Sequence, residues 1–178
     1  MPRSRVLRAL RAREGYTMIE LLIVLLILST VLTALTSLFL AGTKAELESN
    51  RRFQAQQDAR LAADRMRREV HCASGVTVAG PASVTVHLLG HCPTAVNAQP
   101  TNVVYDVQQV SPGRHRLRRA GVRIADYLTT DQVFAYTPES HDSRALLSLD
   151  LQVNTHPNEG WKTWRLNTDI VLRNTLRE

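Results

Sequence analysis

A single carboxylate stands at the edge of the most apolar stretch of the sequence. Glu20 lies five residues after Gly15, and the 23 residues that follow it, 21–43, carry no charge. An unpaired carboxylate at the edge of a membrane helix is costly, and residues of this kind tend to be functional. Glu20 is therefore a candidate for pairing with a cation. The simpler alternative is an interfacial residue that stays among the lipid headgroups.

Two cysteines form the second candidate group. Cys72 and Cys92 each follow a histidine, His71 and His91. An even pair of cysteines in an oxidising compartment predicts a disulfide. A zinc site is the alternative, but adjacent residues point in different directions and Cys-x-x-Cys spacing is lacking. We therefore predict a Cys72–Cys92 bond and no metal site.

The sequence lacks the motifs of common catalytic sites. It has no Gly-x-Ser-x-Gly element, no phosphate-binding glycine loop and no His-Glu-x-x-His pair. We therefore expect a protein that is not an enzyme and that uses no cofactor.

Charge and hydropathy predict one membrane span. Residues 1–15 contain five arginines and one acid, whereas residues 16–178 are nearly balanced, with 17 basic and 15 acidic groups. A balanced folded part argues against nucleic-acid binding, which needs a basic face. The uncharged run exceeds the roughly 20 residues that cross a bilayer, and the basic flank predicts a cytoplasmic N-terminus. The run is long for a signal peptide, so we expect it to be retained.

The helix is predicted to continue beyond the span and then to give way to strands. Residues 16–74 contain no proline and one glycine, Gly42. After Gly75 the pattern alternates, and six strands are predicted without intervening helices. We therefore predict an α+β fold, in which a long N-terminal helix crosses the membrane with its first half. Its second half would pack on a small antiparallel β-sheet through a stripe at helical spacing: Ala55, Ala59, Ala62, Met66 and Val70.

These patterns predict four segments. They are a basic leader, 1–15; a membrane helix, 16–43; its amphipathic continuation, 44–74; and a β-rich head, 75–178. Within the head the clearest strand signals are the alternation around Val84–Leu88 and five runs: Val103–Val110, His115–Arg119, Val133–Tyr136, Leu146–Val153 and Leu166–Leu172.

The junction between leader and span carries a family resemblance. The run Gly15-Tyr16-Thr17-Met18-Ile19-Glu20, followed by LLIVLLIL, resembles the signal of type IV pilins and type II secretion pseudopilins. In that family a prepilin peptidase cuts after the glycine and methylates the new N-terminal residue. The resemblance implies cleavage after Gly15, N-methylation of Tyr16 and an assembly role for Glu20. The new ammonium group could pair with Glu20 of a neighbouring subunit, which removes the cost of burying either charge alone.

The resemblance also implies a structural role. The partners would be other pilin or pseudopilin subunits, the prepilin peptidase, the inner-membrane assembly platform and the lipid bilayer. The chain would first be a single-pass inner-membrane protein with its head outside, and would then enter a periplasmic or extracellular filament. The head also has four features in the order typical of J-class minor pseudopilins and related minor pilins, which it resembles: a helix that ends in RMRREV, a hairpin between Tyr105 and Arg119, the segment Val133-Phe134-Ala135-Tyr136, and Val171-Leu172-Arg173-Asn174. This resemblance implies a place at the filament tip or in assembly initiation.

Two other functions stay open. One is a DNA-contacting subunit of a competence pseudopilus, for which a basic cluster in the head would supply the contacts, although a solvated hairpin explains that cluster as well. The other is a signal-anchored membrane protein unrelated to filaments, which would keep its leader. The basic cluster comprises Arg114, Arg116, Arg118, Arg119 and Arg123.

Overall fold

The computed structural model describes residues 16–92, 94, 99–156 and 160–174. The leader, with Gly15, lies outside the described residues. The chain divides into two compact units, with the boundary between Leu47 and Glu48. One α-helix, α1, runs from Met18 to Cys72 and contributes to both units.

In the first unit, α1 is apolar and uncovered. Its large apolar side chains between Leu21 and Leu40 are 48–71% exposed. By length and composition this helix can cross a membrane. Hydroxyl groups inside the apolar stretch donate to carbonyls three or four residues earlier at 2.8 Å, which satisfies them without water. These are the hydroxyls of Ser29, Thr30, Thr33, Thr36 and Ser37.

In the second unit, α1 packs on the sheet through the predicted stripe. Ala55, Ala59, Ala62, Met66 and Val70 are all buried, which confirms the prediction. The same face also buries Ala63 and one charged residue, Glu69.

Among the described residues, eight antiparallel strands follow the helix. The sheet runs in the order β1-β2-β3-β4-β5-β7-β6, and β8 also pairs with β7. The β3–β4 hairpin turns at Pro112 and Gly113, and Gly113 takes the left-handed conformation with φ 71°. The strands are β1 Ala73–Gly80, β2 Ser83–Leu88, β3 Thr101–Ser111, β4 Arg114–Arg119, β5 Val122–Leu128, β6 Phe134–Thr137, β7 Leu146–Val153 and β8 Trp164–Val171.

The structure thus confirms the α+β class but adds two strands to the six predicted. One is β1, which begins at Ala73, directly after the last helical residue, so α1 ends two residues before the expected boundary at 74. Its sequence, ASGVTVAG, is small and glycine-rich and gives a weak strand signal. The other is β5, whose pairing with β4 contains two register shifts. Each shift interrupts the alternation by which a strand is recognised in a sequence.

Candidate processing and assembly site

The residues expected to be processed lie at the first turn of α1. Tyr16 is 79% exposed and precedes the helix, which begins at Met18. Thr17 caps this end, because its Oγ1 accepts from the backbone N–H of Glu20 at 3.3 Å and its carbonyl accepts from Leu21 at 3.2 Å. Thr17 and Glu20 therefore have the spacing of a capping box. Sequence reasoning did not use this signal, although Thr-x-x-Glu before an apolar run predicts a helix start.

Glu20 consequently has a local role besides any role in assembly. Its carboxylate lies in the first turn of α1, where the helix dipole favours negative charge. Within the described part of the chain, the carboxylate has neither a hydrogen-bond donor nor an ion-pair partner. It is exposed beside the uncovered apolar side chains of the same helix. A cation from outside the chain can therefore reach it.

The two cysteines are joined at the opposite end of the helix. Cys72, the last residue of α1, forms a disulfide with Cys92, and their Cα atoms lie 5.7 Å apart. Cys92 is buried in the loop after β2. The bond therefore links the end of α1 to the loop between β2 and β3. Because the sulfurs bond each other, they are not available to the zinc site that their histidine neighbours had allowed.

A buried carboxylate joins α1 to the sheet. The Glu69 side chain is 1% exposed and pairs with Arg119 at 2.8 Å and with Arg65 at 3.5 Å. It also accepts a 2.7 Å hydrogen bond from the hydroxyl of Tyr105, on β3. Burial, and then the hydrogen bond to Glu69, raise the pKa of Tyr105 well above its ordinary value, so this hydroxyl stays a donor. Burial lowers the pKa of Arg119, but bonding to Glu69 outweighs it and the net pKa is raised.

The five head arginines predicted as one basic cluster separate into three groups, each bound to an acid. Arg119 binds Glu69, and Arg118 binds Asp106 across the β3–β4 pair. The other three, Arg114, Arg116 and Arg123, converge on one carboxylate, Asp126. Each of the five guanidinium groups therefore has a carboxylate partner, but the five share only three acids.

Asp126 is held ionised by its neighbours. Burial raises its pKa, but hydrogen bonds from Arg114 and from the backbone N–H of Tyr127, together with the charges of Arg114 and Arg116, outweigh burial. The net pKa of Asp126 is therefore below its ordinary value. The hydrogen bond to Asp126 in turn raises the pKa of Arg114.

Residues 10–36 match the family model for the prokaryotic N-terminal methylation motif. The match supports a type IV pilin-like family. The matched range contains Gly15, Tyr16 and Glu20 and most of the uncharged run. No curated protein and no solved structure matches the chain.

The motif indicates the general type of protein and its processing. Proteins with a pilin-type motif are structural rather than enzymatic, and the motif implies cleavage by a prepilin peptidase and interaction with other pilin subunits. Together with the apolar helix, it fits a protein anchored in a membrane.

Proposed function

We propose that this chain is a minor pilin or pseudopilin, cleaved after Gly15, methylated at Tyr16 and built into a filament through Glu20. One observation carries the proposal. The methylation motif coincides with an exposed carboxylate at the first turn of a helix whose apolar side chains are uncovered. An apolar surface of this size needs lipid or other subunits to cover it.

The charge of Glu20 supplies a driving force for assembly. An unpaired carboxylate inside a bilayer costs roughly 2.5–3.5 kcal/mol on insertion scales. Cleavage after Gly15 creates an ammonium group at Tyr16, only one turn of chain away from Glu20. Pairing between the ammonium of one subunit and the carboxylate of the next removes this cost and fixes the axial register between them.

The second half of α1 also has side chains suited to neighbours. Phe53 and Leu61 are 58% and 66% exposed, although they lie in the same helix as the buried stripe. Apolar side chains at these positions fit contacts with adjacent helices. A place at the filament tip rests on the resemblance of the head to J-class subunits, and counting copies of this chain per filament by quantitative mass spectrometry tests it.

Location of the head outside the cytoplasm is part of the proposal. The disulfide between Cys72 and Cys92 supports it, because disulfides persist in oxidising compartments. The inner-membrane assembly platform would then receive the subunit with its leader on the cytoplasmic side.

Processing is the first test. Mass spectrometry of the membrane-extracted protein should show a chain that begins at methylated Tyr16. Gly15→Leu should leave the leader in place and serves as the control. A wild-type protein that keeps residues 1–15 would favour the signal-anchored alternative, and cleavage after the apolar run would contradict both.

Assembly is the second test, and the capping box allows a matched pair of variants. Glu20→Gln keeps a residue that suits the capping box but removes the charge, whereas Thr17→Ala removes the cap and keeps the charge. We expect Glu20→Gln to be processed yet absent from filaments in cross-linking experiments, while Thr17→Ala assembles. If Glu20→Gln assembles at the wild-type level, Glu20 is an interfacial residue and the register mechanism is wrong.

DNA contact is not favoured by the arrangement of the head. The arginines that would supply it are divided among three acids, Glu69, Asp106 and Asp126, and do not form one continuous basic face. For this reason we do not propose a DNA receptor as a second function.

A further inference from the structure

Three guanidinium groups converge on one buried carboxylate where β4 and β5 pair. The Asp126 side chain is 4% exposed and accepts from Arg114 at 3.0 and 2.9 Å, from Arg116 at 3.1 Å and from Arg123 at 3.4 Å. We call these four residues the Asp126 cluster. With three cations and one anion, the cluster has a formal charge of +2.

The excess charge is not neutralised within the described residues. No second carboxylate there pairs with the three arginines, and the nearest acid on β3, Asp106, is bound by Arg118. A carboxylate offers about four lone-pair sites and each guanidinium five N–H donors. One of those sites is taken by the backbone N–H of Tyr127 at 2.7 Å. Most guanidinium donors of the cluster are thus left for a further acceptor.

The backbone beside the cluster is distorted. Leu117 pairs with Ala125 and His115 with Leu128, so β5 places two residues, Asp126 and Tyr127, opposite one residue of β4. This is a β-bulge, a feature that re-aims side chains and that is enriched next to functional sites. Tyr127 has φ 62°, a conformation that is costly for a bulky residue.

The distortion gives the cluster its geometry. The guanidinium carbon of Arg114 lies 4.1 Å from the centre of the Tyr127 ring, so the ring supports one face of the guanidinium. The bulge also places the Asp126 carboxylate beside β4, where it holds Arg114 and Arg116 close together despite their repulsion. The side chains of Arg114, Arg116 and Arg123 remain 31%, 35% and 62% exposed. They are therefore fixed and still accessible.

We propose that the Asp126 cluster binds a phosphate group in its dianionic form, as free phosphate or as a phosphate monoester. A monoester carries a charge of about −1.5 to −2 at pH 7, which matches the +2 of the cluster, whereas a carboxylate would neutralise only half of it. Guanidinium groups bind phosphate oxygens in a fixed fork geometry. Arg114, Arg116 and Arg123 contact the ligand, and Asp126 is the residue that positions them.

Titration of the full chain in a neutral detergent tests the proposal. The probes are inorganic phosphate, glycerol phosphate and, as a monovalent control, acetate, each followed by calorimetry at constant ionic strength. Phosphate should bind and acetate should not. Inorganic phosphate and glycerol phosphate distinguish a site for the free ion from one that accepts an ester. Equal binding of acetate and phosphate would overturn the proposal.

Two arginine variants separate a built site from general charge. Arg123→Gln removes the most exposed member of the cluster, so folding should be retained, and it should weaken phosphate binding about fivefold or more, as expected for a charge-assisted contact. Arg118→Gln removes one charge from the same strand but outside the cluster, and should change affinity less than about twofold. The leader arginines are present in both variants, so any phosphate binding by them contributes equally to both affinities. Equal losses in the two variants would contradict the site.

The pH dependence and a polymer probe complete the test. Below about pH 6 glycerol phosphate loses its second charge, while Asp126 stays ionised because its pKa is lowered. The affinity for glycerol phosphate should therefore fall on acidification. An oligonucleotide carries one charge per phosphate. If it binds more tightly than glycerol phosphate and Arg118→Gln weakens it as much as Arg123→Gln, the surface recognises a polymer and the proposed site is wrong.

Discussion

Glu20 and Glu69 lie near opposite ends of α1 and differ in their exposure and in their binding partners. Glu20 lies in the first turn, exposed, and within the described residues its only connection is the capping box with Thr17. Glu69 lies near the last turn, where its carboxylate is 1% exposed and bound by Arg65, Arg119 and Tyr105. The Glu20 carboxylate is therefore available to another molecule. The Glu69 carboxylate already has ion-pair and hydrogen-bond partners within the chain.

The difference follows from what surrounds each half of the helix. The half around Glu69 has a sheet to pack on, so its charge is satisfied by residues that folding brings to it. The half around Glu20 has only apolar residues and hydroxyls that bond their own backbone. One helix therefore has two different surroundings: its second half is part of the folded core, and its first half leaves its acid without a partner within the described residues.

The largest expected effect concerns Glu69. Glu69→Ala leaves the partly buried Arg119 and the buried Tyr105 hydroxyl without their acceptor, and removing one partner of a buried pair in this way costs about 3–5 kcal/mol. We expect a loss of this size in the free energy of unfolding of the head, measured by urea denaturation of the detergent-solubilised chain. Glu20→Ala should leave the same transition unchanged. Equal effects of the two substitutions would remove the distinction between the two carboxylates.

The disulfide should have the next largest effect. It closes a separation of 20 residues, for which the chain-entropy model gives roughly 3 kcal/mol. Non-reducing peptide mapping of protein from its native envelope should recover the Cys72–Cys92 cross-link, and a Cys72→Ser, Cys92→Ser variant should unfold at lower urea. Two free thiols in the native protein would contradict the bond.

Acidification should destabilise the head by a smaller amount. The pKa of Asp126 is lower in the folded than in the unfolded chain, where it is about 3.9. Its contribution is therefore fully present above about pH 4 and is lost as pH falls through the folded pKa. Asp126→Asn should reduce the slope of unfolding free energy against pH in this window. Asp150, whose pKa is also lowered, chiefly by its bond to Arg165, contributes the same pH dependence in both proteins and provides the internal control. An unchanged slope would show that Asp126 does not titrate differently on folding.

The smallest effect is expected at the helix start. Thr17→Ala removes the cap, which costs about 1 kcal/mol and acts on the first turn alone. Hydrogen exchange of the backbone amides near Glu20 should become faster, while exchange in the head stays the same. Faster exchange along the whole of α1 would indicate that the cap supports more than the first turn.

The sequence predicts the elements of this fold better than their pairing. The spacing of Ala55, Ala59, Ala62, Met66 and Val70 identifies the buried face because helical periodicity is a local property. The limits of β7 are also predicted from its run of leucines. The strands β1 and β5 were missed because the first is built from small residues and the second has bulges, and neither gives a regular alternation.

The partners of charged residues could not be predicted in the same way. The arginines of β4 are adjacent in sequence, yet Arg119 binds Glu69, 50 residues earlier, and Arg118 binds Asp106. Which acid each arginine meets depends on strand register and on the packing of α1, which are properties of the whole fold. The cap at Thr17 is different, because its Thr-x-x-Glu spacing is a local pattern from which the helix start could be predicted.

The junction between α1 and β1 has a mechanical consequence. The helix ends at Cys72 and the strand begins at Ala73, so no linker residue separates them. A pull along the helix axis reaches β1 through one peptide bond and the β2–β3 loop through one disulfide. A load on the helix is thereby divided between β1 and the β2–β3 loop, with no linker that must first be extended.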